Sequence, residues 1–278
     1  MHEKKRLLIT LYIQANVLIR LNILKSLNQI KNMAKITKII LILFLFSKSI
    51  YSQSLSGIVK YSGTINKTYA DSIINVTSTK KIPSTHKDFI VDMYKNAKEV
   101  DLFLHFRNNE SYYYLQESLD EQDKYNTTVG AVSAIPYYRN SANNSTYEIS
   151  TYVGIVKRTP LDWKITNKTK KIGKYICNQA LATETLFSRQ GHYYTEKVEA
   201  WFTTEIPVSF GPKLYTGLPG LVLEINKNKI SITATEINLN PKKGLNITVP
   251  NLNKIITQEQ ANKKWEELAE ASKQRRKK

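Results

Sequence analysis

Alternation in the second half of the chain restricts the fold more than any other feature. In KVEAWFTTEIPV (residues 197–208), Ala200, Phe202, Thr204 and Ile206 alternate with Trp201, Thr203 and Glu205. A period of two turns successive side chains to opposite faces, as in a half-buried strand. GLVLEI (220–225) and KISITATEI (229–237) flank the polar turn Asn226–Asn228 and read as a hairpin. LDWKIT (161–166) and KIGKYICNQAL (171–181) read the same way, with the turn expected at Asn167–Lys170.

The first half adds further strands. SLSGIVKYSGTI (54–65) alternates, and DLFLHFRNNESYYYLQE (101–117) is a hairpin about Asn108-Asn109. TYEISTYVGIVKR (146–158) reads as one strand and GLNITVP (244–250) as a short last one, whereas residues 120–146 read as a long polar loop. Two helices are expected. One spans PSTHKDFIVDMYKNAKEV (83–100), with Thr85–Asp88 as its capping box and Ile90, Met93, Tyr94 and Ala97 as its apolar stripe. The other starts near Thr257, with Thr257-x-x-Gln260 as its box and Ala261, Trp265, Leu268 and Ala269 on one face. About eight strands joined by hairpins predict a mainly β (α+β) domain. Its single antiparallel, curved sheet would carry one or two helices packed on one side.

The formal charge of +18 is concentrated at the ends. Residues 1–52 hold nine Lys/Arg against one acid, and five of the last six residues are basic. The interior shows no cationic stripe of the kind nucleic acid requires. The tail reads as a solvated end, with contact to an anionic surface as the alternative. MAKITKIILILFLFSKSIYSQ (33–53) has a basic start, an apolar run from Ile39 to Phe46, and Ile50 and Ser52 placed for cleavage before Gln53. The run is too short for the ~20 residues of a membrane-spanning helix. Residues 33–52 therefore read as a signal peptide and 1–32 as an upstream over-call. A β-rich domain occupies 53–255, and a C-terminal helix with its basic tail occupies 256–278. The expected location is outside the cytoplasm: periplasm, outer-membrane surface or medium, with no transmembrane span in the mature chain.

Chemistry leaves few marks. G-x-S-x-G, phosphate-loop and dinucleotide patterns are absent. Cys177, the single cysteine, lies mid-strand and reads as a buried thiol. The histidines 2, 86, 105 and 192 are scattered, which predicts no metal site. Glu196, Glu199 and Glu205 read as surface acids, with a glycoside-cleaving pair as the alternative. No cofactor is expected. In KLYTGLPGLVLEI (213–225), Pro219 at i+1 and Gly220 at i+2 predict a type II turn over Leu218–Leu221, with Gly217 as a second permissive point. That turn reads as a rigid corner plugging the core, with an apolar lip on a pocket as the other reading.

YTGLPGLVLEI resembles the signature of the GLPGLI family, exported proteins of Bacteroidetes generally described as of unknown function. Trp163, Ile165, Lys170, Ile172, Tyr175, Cys177 and Ala180 match a second stretch of that family. Ala200, Trp201, Phe202, Thr203, Ile206, Pro207, Gly211 and Pro212 match a third, and the likeness spans about Gly57 to Ile237. The resemblance implies an envelope protein and brings no catalytic residues. Together with the residues it predicts a non-catalytic binding or carrier protein for an apolar or peptide-like ligand on the concave side of the sheet. An accessory interaction protein of an outer-membrane transport system, or a hydrolase, are the alternatives.

Overall fold

The computed structural model describes residues 55–116, 126–133, 135–188 and 191–277, with eight isolated positions before residue 39. The leader expected over 33–52 and its cleavage point lie almost wholly outside the described residues. The chain divides after Ser54, and every element below belongs to the second unit, Leu55–Lys278.

In chain order the elements are β1 (Ser56–Ile65), α1 (Lys67–Thr79), α2 (Ser84–Lys95), β2 (Val100–Arg107), β3 (Glu110–Leu115), α3 (Thr127–Val132), β4 (Tyr137–Asn140) and β5 (Ser145–Ser150). There follow β6 (Gly154–Arg158), β7 (Lys164–Ile172), β8 (Tyr175–Phe187), β9 (Tyr193–Thr203), β10 (Leu221–Asn226), β11 (Ile230–Leu239), β12 (Ile255–Thr257) and α4 (Gln258–Lys277). All twelve described strands form one open sheet in the order β12-β6-β5-β4-β3-β2-β1-β11-β10-β9-β8-β7. Every pairing is antiparallel except β12 on β6.

That sheet is curled. Arg158 on β6 and Glu184 on β8 stand nine strand steps apart in the order, which would separate them by about 43 Å in a flat sheet. Their side chains meet at 3.6 Å. The concave space is filled by the chain itself, through the segment between β9 and β10. Ile206, Phe210, Leu214, Tyr215 and Leu218 from that segment are buried with Val59, Tyr61, Leu104 and Phe106. Phe210 tilts onto Phe106 at 5.7 Å between ring centres, and the Tyr61 hydroxyl donates to the Val222 carbonyl at 2.7 Å. Each large apolar side chain buried there contributes about 1.5–3 kcal/mol. The inserted segment is thus core.

Among the described residues of this unit four α-helices, where two were expected, accompany the twelve strands. α1 escapes the apolar-stripe test because only Thr77 on it is buried. The polar stretch 120–146 is not one long loop: it carries α3, β4 and the start of β5. TYEISTYVGIVKR bends at Thr151–Val153 into β5 and β6. Asn167–Lys170 lies inside β7, where a register shift between Ile165 and Thr169 absorbs the polar run. The reversal falls at Gly173-Lys174, because Ile172 pairs directly with Tyr175 and leaves a two-residue loop. GLNITVP is no strand. It docks by the Asn246 amide on His105 Nδ1 at 3.0 Å, and the last strand is β12.

The Thr257 capping box forms as expected. The Gln260 amide donates to Thr257 Oγ1 at 3.2 Å, and Gln260 Oε1 accepts from the Thr257 amide at 2.8 Å. The Thr85–Asp88 box does not form, since α2 begins at Ser84 with Pro83 as its uncapped leading residue. On α4, Ala261 and Trp265 pack with Val153, Val156 and Ile256, while Leu268 stays exposed. Among the described residues no helix is long and apolar enough to cross a membrane.

Candidate functional site

Of the two glycines around Leu218-Pro219, Gly217 is a permissive point as expected, whereas Gly220 lacks the positive φ that a type II turn requires of it. Gly217 has φ 89°, the left-handed conformation, and a side chain there would meet open space. Gly220 does not have positive φ. Its missing Cβ leaves room for the Thr203 carbonyl, which would lie 2.1 Å from it. The Gly220 amide donates to the Leu218 carbonyl at 2.8 Å, closing a three-residue turn about Pro219 in place of a type II turn. Leu221 then donates to Ile206, and Val222 to Phe210, so the corner is tied to the inserted segment. Leu218 and Leu221 point into the core, and Pro219 is exposed.

Most other residues of the family-like stretches also end in the interior. Tyr175, Cys177, Ala180, Trp201, Gly211 and Pro212 are buried, and Ile172 packs on the core. Trp163 is half-buried and donates Nε1 to the Thr216 carbonyl at 3.0 Å. Pro207 is exposed.

The same insertion carries Lys213 and Tyr215 to a buried ionic cluster between the two wings of the sheet. On β8 the inward positions are Ala180, Ala182 and Glu184. Glu184 accepts from Lys227 Nζ at 2.8 Å and from the Tyr215 hydroxyl at 3.0 Å. Arg158 pairs with Glu148 at 2.6 Å, and the Tyr137 hydroxyl donates to the same carboxylate at 2.9 Å. Lys227 also meets Glu196 at 2.7 Å. Burial pushes the Glu184 carboxyl up, but the Lys227 ammonium, with Lys213 and the Tyr215 hydroxyl, outweighs it and holds the group below its ordinary value. Lys213 donates Nζ to the Val132 carbonyl at 3.2 Å, and burial pulls its ammonium down to about 8. Its backbone has φ 55°, rare for a side chain of that size. Apart from Lys213, the cations and carboxylates of the cluster are bonded to one another, and they tie the two wings of the curl together as a clamp. None of its charged residues was a sequence candidate except Glu196. The available signal was an acid in step with Ala180 and Ala182.

Outside the curl, β7–β10 present a polar face. Register places Lys164, Leu181, Glu199 and Asn226 in one row, and an open groove of about 620 Å³ runs along it. Thr183 and Lys197 line it too. Glu199 is fixed by Trp201 Nε1 at 2.7 Å, Gln179 Nε2 at 2.7 Å and Asn226 Nδ2 at 3.2 Å. Burial raises that carboxyl, and these three donors with Lys170 bring it below its ordinary value. It is therefore ionised at neutral pH and unsuited to act as a general acid. Lys170 Nζ caps the Trp201 ring at 4.4 Å and pairs with Glu224 at 2.6 Å. Glu205 accepts from the Ile176 amide at 2.9 Å.

Cys177 is fully buried, and burial raises its thiol to about 11. His192 bonds Ser188 and His105 bonds Asn246, so the polar contacts of both rings lead away from the thiol. The thiol is expected to react with iodoacetamide at pH 8 at least about tenfold more slowly in the folded chain than in urea. Equal rates would place the sulfur in contact with solvent. Among the described residues no three His, Cys, Asp or Glu side chains gather as a metal-binding group.

The fold and its clamp define a class by architecture: an open β-sheet curled round a segment of its own chain. Residues 188–224, from just before β9 through the insertion into β10, match a family model described as "Protein of unknown function (Porph_ging)". Two solved structures resemble the chain. "Structure of PNGF-II in C2 space group" aligns with TM-score 0.41 at 14% identity, over 76% of this chain and 33% of that one. "Structure of PNGF-II in P21 space group" gives TM-score 0.38 at 16% identity, over 73% and 31%. The chain thus spans about a third of the length of those solved relatives. At those scores the likeness transfers neither fold nor activity. No curated protein matches the chain.

Proposed function

We propose that the protein is an exported envelope protein of the GLPGLI type that binds a peptide-like ligand without transforming it. The supporting observation is the open groove across β7–β10, lined by Leu181, Ala182 and Val198 together with Asp162, Lys164, Lys197 and an ionised Glu199 held by its hydrogen bonds. A mixed-charge channel with an aliphatic lining suits an extended polar segment carrying both signs of charge. The β7 edge beside it is unpaired within the sheet, so such a segment has main-chain hydrogen bonds available to it. The lysines along β7 fit the same reading by disfavouring indiscriminate edge pairing. An apolar ligand inside the curl is disfavoured, because Ile206, Phe210, Leu214 and Leu218 occupy that space. Export rests on the leader-like residues 33–52, and the site of action would be the periplasm, the outer-membrane surface or the medium.

The test is to pan a library of random displayed dodecapeptides on the full chain and measure the survivors by fluorescence anisotropy. Enriched peptides should lose at least about tenfold in affinity on Leu181→Glu, a loss on the order of 1.4 kcal/mol. No enrichment, or affinity untouched by Leu181→Glu and Lys197→Glu alike, would remove the groove as a binding site.

A further inference from the structure

The inward face of β4 carries a second arginine whose surroundings differ from those of Arg158. Arg139 is buried. Its described polar contacts are neutral: Thr146 Oγ1 at 3.1 Å, Asn144 Oδ1 at 3.1 Å and Ser209 Oγ at 3.4 Å. Its Nε is buried without a hydrogen-bond partner. Burial pulls the guanidinium's pKa down, and no carboxylate opposes that pull. A buried cation in this state is costly, and an anion removes the cost directly.

The longest of the three contacts leads outward. Ser209 lines an open groove of about 450 Å³ beside the exposed Pro219, together with Asn108, Asn109 and Ser141. Those polar side chains are uncharged, so nothing in the groove wall competes with an incoming anion for the arginine. Hydroxyl and amide groups around one guanidinium are the usual means of holding a carboxylate or phosphate.

We propose that Arg139 and Ser209 form an oxyanion site that opens on the groove beside Leu218-Pro219-Gly220 and takes the carboxylate or phosphate group of a small ligand. The entering oxygen takes the place of Ser209 Oγ on the guanidinium, and the freed hydroxyl turns to donate to the anion. The site shares no residue with the β7–β10 groove, so the two stand or fall separately.

The test uses the full ¹⁵N-labelled chain and follows the Arg139 Nε–H resonance by NMR. Sodium acetate and sodium phosphate are titrated separately against sodium chloride at matched ionic strength. A saturable shift with either oxyanion, absent with chloride, is the expected result. A stronger response to acetate marks a carboxylate ligand, and a stronger response to phosphate marks a phosphate ester. Ser209→Ala keeps the guanidinium and should weaken the preferred anion about fivefold, the loss of one hydrogen bond. Because Ser209 is only half-buried, that variant is chosen ahead of Arg139→Gln, which risks the fold. A shift that chloride reproduces, one that never saturates, or a Ser209→Ala curve identical to the parent's would each overturn the site.

Discussion

Gly220→Ala is expected to destabilise the domain by about 4 kcal/mol or more, enough to leave little folded protein at 37 °C. The new Cβ would sit 2.1 Å from the Thr203 carbonyl oxygen and 2.6 Å from its carbon. Both are backbone atoms, so no side-chain rotation relieves the overlap. Nor can the strands part, because Leu221 is paired with Thr203 and its amide is bonded to Ile206. Gly217→Ala is the informative control. It meets no atom within 4 Å, but it forces φ 89° on an L-residue, a cost on the order of 1–2 kcal/mol. Urea unfolding of both variants measures the difference. A Gly220→Ala protein within about 1 kcal/mol of the parent would mean the corner is looser than described.

Glu184→Ala is expected to cost about 2–3 kcal/mol, because it strips a buried carboxylate from Lys227, Arg158 and Tyr215, although Lys227 keeps Glu196 and Arg158 keeps Glu148. The pH dependence separates this from simple loss of packing. Glu184 titrates lower when folded than its ordinary value of 4.5, so the unfolded chain binds more protons as the pH falls through that value. Its contribution is present in full above about pH 4.5 and is lost as the pH drops through the folded-state pKa. The parent should therefore lose stability through that acid window, and Glu184→Ala should follow a flatter curve there. Equal acid limbs in the two proteins would show that the carboxylate is not the keystone of the clamp.

Much of the sheet is legible because one face of strands such as β8 and β1 is less covered than the other. In β1 buried and half-buried residues alternate, and in β8 buried residues alternate with more exposed ones on either side of the buried pair Gln179-Ala180, so the period of two is visible in the letters. β4 and β5 lack that contrast. Tyr137, Tyr138 and Arg139 are all buried, as are Ser145, Thr146, Tyr147 and Glu148, so both faces are covered and polar residues stand at inward positions. A strand covered on both sides has no alternation to read. Of the site, the corner at Leu218–Leu221 was visible through Pro219. Its geometry was not, because which glycine takes positive φ and which yields to a neighbour depends on where Thr203 lies. The clamp joins residues as distant as Glu148 and Lys227, and proximity of that kind is set by the curl.

β1 stands mid-sheet, with β2 on one side and β11 on the other, and its Gly57 faces Leu239. A ribosome or an export channel that releases the chain from its N-terminus delivers β1 long before β11. Throughout that interval β1 offers a naked row of amides and carbonyls on one flank. Such non-local pairing makes closure slow, and an unfinished sheet of this size invites clumping with its neighbours. The order of emergence therefore leaves the growing chain exposed to aggregation until β11 arrives to cover that flank.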